Sequence, residues 1–163
     1  MRPASRILAA FGILWLSACG RPEPPPFRPV ADVKEIMRSI VDPAAGDVWG
    51  AAGWITTKEG TIERGPTTSR EWTEIRKQAV TLTEAGNLLM MAPRARDGEQ
   101  WMMLARALVD KGEECVKAAE QKNKQRIFDV GGDLYQTCLN CHQQYLPAIQ
   151  DAERAQAKKE ASR

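Results

Sequence analysis

Near the C-terminus, Cys138-Leu139-Asn140-Cys141-His142 sets two thiols and an imidazole at a spacing that chemistry can use. Cys-x-x-Cys-His is the attachment pattern of a c-type haem. The thiols add to the two vinyl groups, and the imidazole that follows serves as an axial ligand to iron. On a helix, positions 138 and 142 share a face, and Cys141 lies about one turn beyond Cys138. All three side chains can therefore reach one flat macrocycle. Two alternatives stay open. A redox dithiol of the thioredoxin kind needs a βαβ setting, and no such pattern is visible. A structural zinc site needs four ligands, and the chain has four cysteines and one histidine in all. The leading expectation is one covalent haem c on Cys138, Cys141 and His142.

The 163-residue chain fits one domain with appendages. Residues 1–18 read as an export signal, with Arg2 and Arg6 ahead of the apolar stretch Ile7 to Leu16. That stretch is too short to span a bilayer as a mature helix. Leu16-Ser17-Ala18-Cys19 is similar to the lipobox of bacterial lipoproteins, which implies cleavage before Cys19 and lipidation of its thiol. An ordinary signal with an incidental cysteine is the alternative. Removing 1–18 takes two arginines and no acids, so Lys+Arg falls from 23 to 21 against 21 Asp+Glu. The mature chain lacks the basic excess of a nucleic-acid binder. Cys115, among apolar helical positions, reads as a buried, inert thiol.

The remaining segments must position the motif. Residues 19–29 form a lipidated cysteine followed by a proline-rich tether, extended rather than helical. Val33, Ile36, Met37, Ile40 and Val41 recur at helical spacing within Val30 to Val41. Asp42-Pro43 predicts a kink or restart with Asp42 as N-cap, and the helix is expected to continue from Ala44 to Trp54. Residues 56–67 read as a loop. A capping box of Thr68 and Glu71 opens the second helix, whose stripe is Trp72, Ile75, Ala79, Leu82, Gly86 and Leu89; Pro93 ends it. A second box, Asp97 with Gln100, opens a helix striped by Trp101, Leu104, Leu108, Gly112, Cys115 and Ala119. The last helix aligns Ile127, Gly131, Leu134, Cys138, His142, Tyr145 and Ile149, flanked by Phe128 and Tyr135. Gly131-Gly132 is unfavourable inside a helix, which points to a close approach of backbone or macrocycle. No strand pattern competes. The expected fold is all-α, an antiparallel four-helix bundle over residues 30–151 with the haem in its last helix, followed by a charged tail at 152–163.

This layout resembles the class II c-type cytochromes, the cytochrome c prime family; class I cytochromes c carry the motif near the N-terminus. The resemblance covers about Val30 to Ile149 and is most specific from Gly131-Gly132-Asp133 to Tyr145. It implies that Cys138 and Cys141 hold the haem, that His142 is the proximal ligand, and that Tyr145 is the cofactor-contacting aromatic after the motif. Attachment outside the cytoplasm agrees with the export signal. Many members carry a basic residue four positions after the histidine; here that position is Leu146, which weakens transfer of gas-binding behaviour that depends on a proximal charge.

With one histidine in the chain, a bis-histidine iron within one chain is excluded. In low-spin members of the family a methionine on the first helix binds iron, which makes Met37 the candidate sixth ligand; pocket lining is its alternative role. Met90, Met91, Met102 and Met103 are expected to pack in the core. The leading function is electron transfer, without catalysis, by a lipid-anchored cytochrome on the periplasmic side of a bacterial membrane. Its partners would be periplasmic redox proteins, with a second copy of the chain as a further candidate. The alternative is binding or scavenging of nitric oxide or a similar diatomic gas at a five-coordinate haem. A lipoprotein whose haem only stabilises the fold ranks third. No distal His, Arg or carboxylate constellation indicating an enzyme is evident around the motif.

Overall fold

The protein is described here by a computed structural model covering residues 27–161. The export signal, Cys19 and most of the tether lie outside the described residues. The described chain is mostly helical, with one small antiparallel hairpin.

The first helical arm differs from expectation in both its middle and its end. Asp32 caps helix α1 (Val33–Ile36), its carboxylate accepting the Glu35 N–H at 2.8 Å. A π-helical stretch, Met37–Val41, then leads without a break into α2 (Asp42–Trp49). The expected kink with Asp42 as N-cap is thus corrected. Asp42 keeps right-handed helical angles and makes no side-chain cap. Pro43 offers no N–H and its ring crowds the carbonyl one turn back. The wider turn accommodates it, with the Asp42 N–H donating to Met37 O five residues back.

The helix ends at Trp49 rather than Trp54, and the expected loop contains a hairpin. Strands β1 (Gly53–Thr57) and β2 (Gly60–Arg64) pair antiparallel with Ile55 opposite Ile62. Ile55, Thr56, Thr57, Thr61 and Ile62 are β-branched and favour strand. The turn residues, Lys58-Glu59, are not the Asn-Gly type that announces a hairpin in sequence.

Helix α3 (Ser69–Met90) begins with the expected box: Thr68 Oγ1 accepts the Glu71 N–H and Glu71 Oε2 accepts the Thr68 N–H. Its whole apolar stripe is buried. Helix α4 (Glu99–Glu120) starts differently from the expected Asp97–Gln100 box. Gly98 occupies the cap position without a side-chain bond, and Asp97 Oδ1 accepts the Trp101 N–H at 2.9 Å. The α3–α4 contact is the most extensive between helices, and two glycines permit it. A Cβ on Gly112 would collide with Thr83 Oγ1 and come within 2.8 Å of the Thr83 N, and one on Gly86 would lie 2.6 Å from Val109. Helix α5 (Lys124–Ala161) packs against α4 and α2 and continues through Pro147. Side chains from the first arm and from α3, α4 and α5 share one core, in which Ile36, Val48, Leu82, Ile127, Val130 and Leu134 are fully buried. Buried Arg94 fastens the N-terminal approach, donating to Ala31 O at 2.8 Å and to Leu88 O at 3.2 Å. No helix among the described residues is long and apolar enough to cross a membrane.

Candidate functional site

The i, i+4 line of α5 carries the chain from core to cavity. Leu134 is fully buried, Cys138 four residues on is half-buried, and His142 after one more turn is exposed. Cys138, Cys141 and His142 face one cavity of about 240 Å³. Thr137 completes the α5 wall. The first arm supplies Met37, Arg38, Val41, Asp42, Ala45 and Trp49; Leu89 comes from α3, and Trp101, Leu104, Ala105 and Leu108 from α4.

The structure therefore brings Met37 to the same cavity as Cys138, Cys141 and His142, across elements separated by about 100 positions in sequence. Met37 is half-buried in the first turn of the π-helical stretch. Met90, Met91, Met102 and Met103 do not line the cavity. Tyr145 does not line it either. It stands behind the wall, its ring edge-on to Trp101 with centroids 4.9 Å apart, and its hydroxyl donating to Asp97 Oδ2 at 2.7 Å. The side chain of Ile149 lies outside the described residues.

Two charged residues at the cavity went unread in the sequence. Arg38 and Asp42 line it. Arg38 and Asp42 are four residues apart and so share a face, but nothing in the spacing sets that face beside a cavity. Both are exposed and sit at the rim, while the rest of the lining is almost wholly apolar.

The thiols are free and are not set up as a redox pair. Burial, then the neighbouring Cys141, push Cys138 up to about 11, and burial raises Cys141 as well. Reactive dithiols need the opposite shift, toward thiolate. Nor do the described residues contain a group of three or more His, Cys, Asp or Glu side chains able to hold a bare metal ion. Cys115, in the core between α3, α4 and α5, is fully buried and raised by that burial to about 11.

The donor set and its setting fit a haem. Two thiols and an imidazole occupy one helix wall of an apolar cavity, and a thioether enters from another element. No protein-family model matches the chain, and no curated protein or solved structure is significantly similar to it.

Proposed function

We propose that the protein is a membrane-anchored c-type cytochrome of class II character, carrying electrons on the periplasmic side of a bacterial membrane. The observation that carries this reading is the convergence of Cys138, Cys141, His142 and Met37 on one apolar cavity. In this reading the first arm, α3, α4 and α5 form an antiparallel four-helix bundle, and Cys19 carries the lipid. Cys138 and Cys141 would hold haem c by thioether bonds, His142 would be the proximal ligand and Met37 the sixth. Bound there, the haem would supply a one-electron couple that cycles between ferrous and ferric iron.

The protein's own part is to hold that couple out of water. Val41, Ala45, Leu104, Ala105 and Leu108 give the cavity a low-polarity lining, which disfavours the extra charge of the oxidised form. A thioether ligand is soft and favours the reduced metal, so it raises the potential. Arg38, exposed at the cavity, would offer a cation to the anionic propionates of a haem.

The test is the absorption spectrum of the purified holoprotein, oxidised and reduced, with and without nitric oxide. A low-spin spectrum unchanged by nitric oxide supports Met/His ligation and electron transfer. A high-spin spectrum that responds at once moves gas binding to the front.

A further inference from the structure

Trp49 belongs to two hollows: it lines the cavity that holds Cys138 and His142, and it also lines a surface groove of about 650 Å³ where the end of α2 meets α5. The ring is fixed, its Nε1–H donating to Gly131 O at 3.0 Å and its edge meeting Tyr135 with centroids 5.9 Å apart. Phe128 stands in the groove wall, held edge-on by Trp54 of the hairpin at 4.7 Å. Trp49, Phe128 and Tyr135 are 38%, 45% and 58% exposed, an unusual concentration of open aromatic surface.

Gly131 and Gly132 line the groove. A glycine inside a helix is less favourable than an alanine. Yet a Cβ on Gly132 would meet nothing within 4 Å, and one on Gly131 would make an ordinary 3.5 Å contact with Trp49. The packing of this chain requires neither glycine. Gly132 leaves exposed backbone along the aromatic groove, while Gly131 is buried and its carbonyl accepts the Trp49 indole N–H. The charged residues on its walls are Asp129 and Asp133. Asp133 shares Lys111 at 3.4 Å with the core-side Glu114, while Asp129 accepts from the neutral Gln125 amide. The groove is therefore apolar at its centre and negative at its edge.

We propose that this groove is the docking face for the protein's redox partner, a protein whose contact patch is apolar at its centre and ringed by lysines. An aromatic centre with a charged rim is the composition of a recognition surface, and complementary charge gives the fast, transient association that electron exchange needs. Trp49 is common to the linings of the groove and of the cofactor cavity, so a partner docked in the groove meets a residue that also borders the cavity. A single electron passes between the two proteins and no atom is transferred; one protein is oxidised as the other is reduced. The inference rests on the electron-carrier reading.

The test uses the haem-loaded protein and, as probe, a lysine-ringed class I cytochrome c. Zero-length carbodiimide cross-linking, mapped by mass spectrometry, should join probe lysines to Asp129 and Asp133. Asp129→Asn and Phe128→Ala should each slow electron exchange with the probe about tenfold at low ionic strength. Reduction by duroquinol, small and uncharged, should not change, and Glu84→Gln on α3 should behave as wild type. Fast exchange with links confined to other carboxylates, and groove variants at the wild-type rate, would overturn the docking face while the carrier reading stands. Links at the groove without electron exchange would support the docking face and contradict the carrier reading.

Discussion

The Tyr145 hydroxyl donates to the Asp97 carboxylate at 2.7 Å, tying the turn of α5 that follows His142 to the start of α4. The other Asp97 oxygen accepts the Trp101 N–H at 2.9 Å, and Trp101 donates its indole N–H to Leu89 O at 2.7 Å while lining the cavity. One carboxylate thus sets both a wall of the cavity and the turn beside the imidazole.

Burial, then the bond to Asp97, push the Tyr145 hydroxyl from 10.0 up to about 12. A tyrosine whose folded pKa is raised contributes stability that is fully present below the unfolded value and lost as pH climbs through the folded one. Tyr145→Phe should therefore melt below wild type at pH 7, and its melting temperature should fall less steeply between pH 10 and 12. Melts followed by circular dichroism check both. Equal melting at pH 7 would show that the Tyr145–Asp97 bond adds nothing.

Met37→Leu should abolish the weak far-red sulfur-to-iron band of the oxidised protein, lower its potential and open the iron to added ligands. The fold should survive, since leucine is close in volume and costs less than about 1.5 kcal/mol. Spectral titration with imidazole reads the open position. A variant with the wild-type far-red band would remove Met37 from the iron.

At the start of α3, the Thr67 and Thr68 N–H groups donate to Glu71 at 2.7 and 2.8 Å and hold its carboxyl down at about 2. A depressed carboxyl contributes stability present above its unfolded value of 4.5 and lost as pH falls toward 2. Glu71→Gln should lose less stability than wild type across that window, measured by urea unfolding at pH 6 and pH 3. Thr68→Ala, which removes the other half of the box, should cost about 1 kcal/mol at both.

Much of this architecture is visible in residue spacing. The stripes from Trp72 to Leu89 and from Trp101 to Ala119 are buried as spaced, because long amphipathic repeats leave a helix one face to hide. The hairpin is not visible, since Lys58-Glu59 gives no turn signal and neither strand has a buried face. Asp42-Pro43 reads as a break because sequence rules assume ordinary helical pitch, and the π-helical turn escapes that assumption. At the site, Cys138, Cys141 and His142 announce themselves by spacing. Arg38 and Asp42 do not, because charged residues on a helix surface look like a solvated face until a cavity opens beside them. Trp49 is one apolar residue within the stretch Ala44 to Trp54, and only the fold shows it lining both the cavity and the groove.

Cys19→Ser should release the protein from membranes into the soluble periplasmic fraction, because stable anchoring needs the multiple acyl chains of a lipidated cysteine. Fractionation and immunoblotting check this. Wild-type protein already soluble after fractionation would favour ordinary signal cleavage.

Covalent attachment of haem to Cys138 and Cys141 is read out by acid–acetone extraction followed by peptide mass spectrometry. The haem should stay with the polypeptide, and the peptide spanning Cys138 to His142 should carry the mass of one haem; Cys138→Ser with Cys141→Ser should carry none. Haem recovered in the organic layer, with that peptide at its bare mass, would contradict it.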